Sequence, residues 1–274
     1  MRKAADALRE AATVLAEVSE TARLDAELLM AHALGLSRGE LILTLGDLAE
    51  PPEFVALVER RRAHEPVSHI TGKRDFWTLT LAVTPDVLTP RPDSETLIEA
   101  AIDHFRDRPA PQRILDLGTG SGALLLAALD VWPDASGLGV DISPPALDVA
   151  RRNAHLCGMA HRAAFRAGDW LLGLEETFDL ILANPPYIAV HAKLPPDVAD
   201  HEPALALFAG EDGLDAYRAI APELERIMAP GGFTAVEIGF DQAETAALLF
   251  RQRGLTVEIK ADLAGHPRCL MVRR

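Results

Sequence analysis

Over its first 65 residues the chain steps in helical periods. Ala5, Leu8, Ala12 and Leu15 recur at intervals of three and four, and Leu24, Leu28, Leu29 and Leu34 repeat the pattern until Gly35 stops it. Ser37-Arg38-Gly39-Glu40 has the spacing of a capping box. Pro51-Pro52 opens a fourth run through Phe54, Val55, Leu57 and Val58 to Arg60-Arg61-Arg62. Three cations there complement a helix C-terminus. With Lys73 and Arg74 they also make a candidate docking cluster for an acidic partner, the helix-end role being the plainer one. From His69 to Leu88 the period falls to two. Phe76, Thr78, Thr80 and Ala82 alternate with Trp77, Leu79, Leu81 and Val83, predicting a β-hairpin that turns near Gly72-Lys73. Pro85, Pro90 and Pro92 stiffen the connection beyond it.

From Asp93 onward the two periods alternate. Helices are expected over 94–105, 122–130, 145–157, 213–228 and 241–253. Strands are expected over 113–117, 137–140, 163–166, 178–182, 233–238, 255–259 and 269–272. This alternation predicts an α/β fold, a mostly parallel sheet covered on both faces, with ligands at the carboxyl ends of its strands. The chain therefore divides into a helical domain (1–65), a β-hairpin and Pro-rich linker (66–92) and an α/β domain (93–274).

Composition narrows the function. At 49% hydrophobic and 25% charged, the 274 residues exclude wholesale disorder. Lys and Arg number 27 against 41 Asp and Glu, a net charge of −14, which disfavours nucleic acid as the main partner. The acidity is uneven: ten basic against thirteen acidic residues up to position 80, then 17 against 28. Cys157 and Cys269 have no CxxC spacing, so neither a disulfide framework nor a zinc site is expected, in keeping with a reducing cytoplasm. Asp6, Glu10 and Glu17 interrupt what a signal peptide would need apolar, and the longest apolar run, 123–129, is too short to span a membrane. A soluble, unprocessed cytoplasmic protein without a metal is the expectation.

Candidate chemistry begins at Asp116-Leu117-Gly118-Thr119-Gly120-Ser121-Gly122, which closes one strand and opens a helix. Glycines two apart let a backbone pass close under a ligand. The same segment fits the dinucleotide pattern GxGxx[GA], and Asp141 stands about 20 residues on, where a ribose-binding acid belongs. Both NAD and S-adenosylmethionine present a ribose diol, so Asp141 leaves the two open. Asp169-Trp170, after the third strand of the α/β domain, leans towards the second: a carboxylate for an adenine amino group and an indole for its ring. The plain alternative for Trp170 is a rim aromatic. The strand 178–183 then ends in Asn184-Pro185-Pro186-Tyr187. Two prolines remove two backbone donors in a row, leaving a strand mouth rich in acceptors, on which a planar NH2 group could hang both its N–H bonds while Tyr187 packs on its face.

Asn-Pro-Pro-Tyr in that order after Asp-x-Gly-x-Gly-x-Gly resembles the methyltransferases of planar amino groups. Glu65-Pro66-Val67-Ser68-His69-Ile70-Thr71-Gly72, Asp75-Phe76-Trp77, Pro90-Arg91-Pro92-Asp93-Ser94-Glu95 and Glu202-Pro203 narrow it. Together they resemble the bacterial release factor glutamine methyltransferase family over essentially the whole chain. The resemblance implies a Rossmann-like seven-stranded S-adenosylmethionine-dependent methyltransferase fold behind a small N-terminal helical domain. It implies methylation of the amide N5 of the glutamine in the Gly-Gly-Gln loop of class I peptide chain release factors, with S-adenosylhomocysteine as product.

On this reading Gly118, Thr119, Gly120, Ser121 and Gly122 meet the methionine part of the cofactor and Asp141 its ribose. Asp169 and Trp170 meet its adenine, and Asn184 borders both cofactor and substrate. Asn184 and the Pro185 carbonyl each accept one N–H of the glutamine, and Tyr187 holds the amide plane. Pro186 and Arg91 complete the substrate set. Release factors are the expected partners, membranes and nucleic acid are not. The rivals are an adenine-N6 nucleic-acid methyltransferase, an NAD-binding oxidoreductase and a non-catalytic cofactor-binding module, in the last two of which the tetrapeptide has no role.

Overall fold

A computed structural model describes residues 2–274, which fall into two compact units. The first comprises residues 2–73 with Leu194–His201, the second Arg74–Lys193 with Glu202–Arg274.

In the first unit, α1 (Ala4–Leu15), α2 (Ala22–Leu34), α3 (Arg38–Thr44), α4 (Phe54–Arg62) and α5 (Val67–Thr71) enclose a core of Ala4, Ala7, Leu8, Ala11, Leu15, Ala26, Leu29, Met30, Leu41, Phe54 and Val58. The buried stripe of α1 and α2 is thus richer in alanine than the leucine spacing predicts; Leu24 is exposed. Small side chains leave room here for buried charge. Arg61 Nε donates to Asp25 at 2.8 Å, both nearly inaccessible, while Glu27 accepts from Arg23 and Arg38. The capping box forms as predicted, Ser37 Oγ accepting from Glu40 N and Glu40 from Ser37 N. Arg60 is paired with Glu65, so the candidate docking cluster has one member buried and another internally engaged.

The hairpin turns later than predicted. Gly72, at φ +70, ends α5 instead. Strands β1 (Lys73–Phe76) and β2 (Leu79–Ala82) turn at Trp77-Thr78, with Trp77 itself left-handed at φ +55 and its N–H donated to Glu95 Oε1 at 2.8 Å. A tertiary acceptor, invisible to local pattern, fixes that corner.

A 3-10 turn, Pro92–Ser94, leads into α6 (Glu95–Phe105). Then follow β3 (Arg113–Leu117), α7 (Ala123–Val131), β4 (Ser136–Asp141), α8 (Pro144–Leu156), β5 (Ala163–Ala167) and β6 (Phe178–Ala183). The short α9 (Pro196–Ala199) belongs to the first unit. The chain closes with α10 (Asp215–Ile227), β7 (Met228–Glu237), α11 (Ala243–Arg251), β8 (Thr256–Ala261) and β9 (Pro267–Arg273). β7 begins five residues before the predicted 233, because Phe178 still pairs with Met228 across a register irregularity at Pro230-Gly231-Gly232.

The seven-stranded sheet has the order β5-β4-β3-β6-β7-β9-β8, with β9 alone running against its neighbours. Its central strands are buried on both faces, as parallel strands must be when crossovers cover them. Ile114, Leu180 and Leu182 face one apolar layer; Leu115, Leu117 and Ile181 face the other. The chain goes from β3 outward to β4 and β5, then returns to the far side of β3 as β6. That reversal opens a crevice beyond the ends of β3 and β6. Among the described residues no helix is long and apolar enough to cross a membrane, and both cysteines are free thiols.

Candidate active site

A cavity of about 380 Å³ lies at those strand ends, within the second unit and within the usual size of a small-molecule site. The loop after β3 forms its floor. Gly118, Gly120 and Gly122 stand at φ +66, +53 and +82, and Gly118 N and Thr119 N both donate to Val140 O, at 2.8 and 3.0 Å. A Cβ on Gly118 would be strained and would lie 3.4 Å from the Trp170 ring. Trp170 is itself held left-handed at φ +48, a costly conformation for a bulky residue that turns its indole onto the loop. Beneath, on β4, a Cβ at Gly139 would meet Phe165 at 2.7 Å and Thr119 Oγ1 at 2.8 Å.

Asp141, at the end of β4, ties the loop to the next helix. One carboxylate oxygen accepts from Gly120 N at 2.8 Å, the other from Ser143 N at 2.9 Å. Each retains lone pairs for a ligand. Asn153 of α8, fully buried, donates to Ser121 O at 2.9 Å and to Ala82 O.

Asp116 is a site residue that the sequence reading left without a role. It is buried, one oxygen accepting from Thr119 Oγ1 at 2.6 Å and Leu125 N, while Oδ1 has no partner. Burial pushes its carboxyl up to about 7, against the pull of those two donors. The signal was available: an acid at an interior strand position, two residues before the first glycine.

Across the cavity, β6 delivers the tetrapeptide. Asn184 Nδ2 donates to Ser94 Oγ at 3.1 Å, and Ser94 Oγ–H donates to Glu237 Oε2 at 2.5 Å. Glu237, at the end of β7, is 2% exposed, and burial pushes its carboxyl up to about 7 although Ser94 donates to it. The Tyr187 phenol is pushed up to about 12 by burial and by Glu237, and so stays neutral. Its ring packs on the second apolar layer, and its carbonyl accepts from Gln242 Nε2 at 2.9 Å.

The cavity brings together Gly118, Thr119, Gly120, Ser121, Asp141, Asp169, Trp170, Asn184 and Pro186. Four expected residues stand off its lining. Gly122 packs on Ala150 of α8, where a Cβ would be 3.4 Å away, so it serves the close approach of helix and loop. Pro185 is buried and Tyr187 lies behind the wall. Arg91 Nη2 donates to Glu202 at 2.6 Å, and the adjacent Pro203 lines the cavity. The lining contains five aspartates (Asp86, Asp116, Asp141, Asp169 and Asp215) and, among the described residues, no Lys, Arg or His. Such walls favour a cation and disfavour a pyrophosphate.

Comparison with known proteins agrees with this geometry. A family model described as PrmC N-terminal domain matches residues 6–72, and one described as Methyltransferase domain matches residues 110–248. The release factor glutamine methyltransferase of Rhodospirillum rubrum is 48% identical over 261 residues, 93% of this chain and 80% of its own length. That of Cereibacter sphaeroides is 44% identical over 281 residues, 99% of this chain and 98% of its own. Among solved structures, a Pyrococcus furiosus methyltransferase covers 80% of this chain and 95% of its own at a TM-score of 0.51 and 17% identity. The ribosomal protein L11 methylase of Lactobacillus delbrueckii covers 67% and 80% at 0.51 and 23%. Those two likenesses concern the fold.

Proposed function

Because the chain belongs to the release factor glutamine methyltransferase family, we propose that it methylates the side-chain amide nitrogen of the glutamine in the Gly-Gly-Gln loop of class I release factors, in the cytoplasm, using S-adenosylmethionine. The observation that carries this reading is that one cavity joins the glycine loop to the acceptor-rich exit of β6, with Asn184 in its lining.

The residues present fit the cofactor. S-adenosylmethionine carries a sulfonium and an ammonium, and the walls are acidic and free of basic side chains among the described residues. Asp116 Oδ1 is a buried acceptor lacking a partner, Asp141 retains lone pairs for ribose hydroxyls, and Asp169 and Trp170, which line the same cavity, are assigned to adenine. NAD fits worse, since its pyrophosphate would meet five aspartates and no cation.

When bound, the cofactor supplies an electrophilic methyl group. The protein's part is to present the amide. An amide nitrogen is a poor nucleophile because its lone pair is delocalised into the carbonyl, and no side-chain base removes its proton at neutral pH. In this reading Asn184 Oδ1, in the lining, and the backbone carbonyl of Pro185, whose residue stands just off it, take the two N–H bonds, fixing the plane of the group and drawing charge onto its nitrogen. Pro185 and Pro186 contribute no competing donors at that strand exit. Orientation of this kind is worth up to about 7–11 kcal/mol in favourable systems, and preorganised acceptors add to it. The neutral Tyr187 completes the support from behind.

The test is transfer of labelled methyl from S-adenosylmethionine to an unmethylated release factor, beside a copy whose loop glutamine is alanine, with duplex DNA as a third acceptor. Label on the first alone supports the reading. Label on DNA and on neither protein overturns the substrate assignment.

A further inference from the structure

Asn184 can serve as an acceptor only if its side-chain amide faces the cavity oxygen first, and a terminal amide has no such preference of its own. The structure supplies one. Ser94 closes the 3-10 turn that runs into α6, with helical backbone (φ −67, ψ −17), and its side chain makes no capping bond. With Glu237 ionised, its single proton goes to Glu237 Oε2 at 2.5 Å, which leaves its oxygen able only to accept, and Asn184 Nδ2 donates to it at 3.1 Å. The reversed amide would set oxygen lone pairs against oxygen lone pairs. Ser94 and Glu237 are 3% and 2% exposed, so water does not compete for these bonds.

We propose that Ser94 and Glu237 are positioning residues that lock the Asn184 amide with Oδ1 towards the substrate. The proposal rests on the function argued above. It accounts for a cost the fold otherwise carries without return, a carboxyl group in the interior. It also gives the Pro90-Arg91-Pro92-Asp93-Ser94-Glu95 segment a task in the site through Ser94, 90 residues before the side chain it steers.

Asparagine occurs only at 153 and 184, so selective side-chain 15N labelling yields two amide signals, and Asn184→Ala identifies which is which. The experiment compares wild type, Ser94→Ala, Asn184→Ala and the double variant by single-turnover rate, cofactor affinity, melting temperature and these spectra. Ser94→Ala is expected to move the Asn184 signal and leave that of Asn153 in place. It should slow methyl transfer roughly tenfold to a hundredfold, the usual scale for a misplaced reacting geometry, with cofactor affinity unchanged. In the Asn184→Ala background the same change should cost nothing more, the non-additivity of residues acting as one unit. Equal losses in both backgrounds, or an Asn184 signal that stays put, would overturn the proposal. If Ser94→Ala does not fold, Glu237→Leu poses the same question: it frees the Ser94 proton to seek Asn184 Oδ1, and an unmoved Asn184 signal there also counts against the relay. An Asn184→Ala enzyme with wild-type turnover would instead remove the functional reading on which the relay depends.

Discussion

The two walls of the cavity are built on different plans. The glycine loop is held by its own neighbourhood: Gly118 and Thr119 donate to Val140 O, Gly120 to Asp141 and Gly122 to Thr119 O. The tetrapeptide is held from far away in sequence, by Ser94, Glu237 and Gln242. One wall is a backbone cradle flanked by the side chains proposed to recognise the cofactor, Asp141, Asp169 and Trp170. The other presents acceptors whose direction depends on a side-chain frame. On this plan, binding and orientation are proposed to be separable.

The largest expected effect is on the second wall. Asn184→Ala should reduce turnover by roughly 10²–10³, the usual cost of removing one preorganised polar group from a reacting centre, while calorimetry shows cofactor affinity little changed. On the first wall, Gly139→Ala should lower stability by about 1–3 kcal/mol, read by urea unfolding, since the new methyl must displace Phe165 or Thr119. Gly118→Ala should weaken cofactor binding about tenfold, as left-handed strain costs an alanine about 1–2 kcal/mol; calorimetry measures it.

A further effect is electrostatic. Asp116 titrates near 7 in the fold and near 4 when unfolded. Between those values the native state keeps a proton that the unfolded chain has lost, so this group's contribution to stability falls as pH rises from about 4 to 7 and is flat above. Asp116→Asn should therefore gain on the wild type over that interval by about 1 kcal/mol per pH unit, measured as the difference between urea midpoints at pH 5 and pH 7.

What was legible in the sequence follows the same division. β3 runs over the predicted residues, and the glycine loop, Asp141 and Trp170 share one cavity because their spacing is local and periodic. The place of Asn184 in the same cavity was legible too, at the end of a buried strand marked by the two prolines that follow it. Ser94 and Glu237 were not, because their bond joins positions 143 apart through the interior. The hairpin turn failed for a related reason: Gly72 looked like a corner, but α5 needed it as a C-cap and Glu95 held Trp77 in its place. Arg61 shows the reverse hazard. A run of three arginines reads as a surface, yet the middle one points inward to Asp25.

Whether one wall binds and the other orients can be read by assaying Gly118→Ala and Asn184→Ala across rising S-adenosylmethionine concentration. Saturating cofactor is expected to restore most of the turnover of Gly118→Ala and none of that of Asn184→Ala. Rescue of both variants, or of Asn184→Ala alone, would contradict that division.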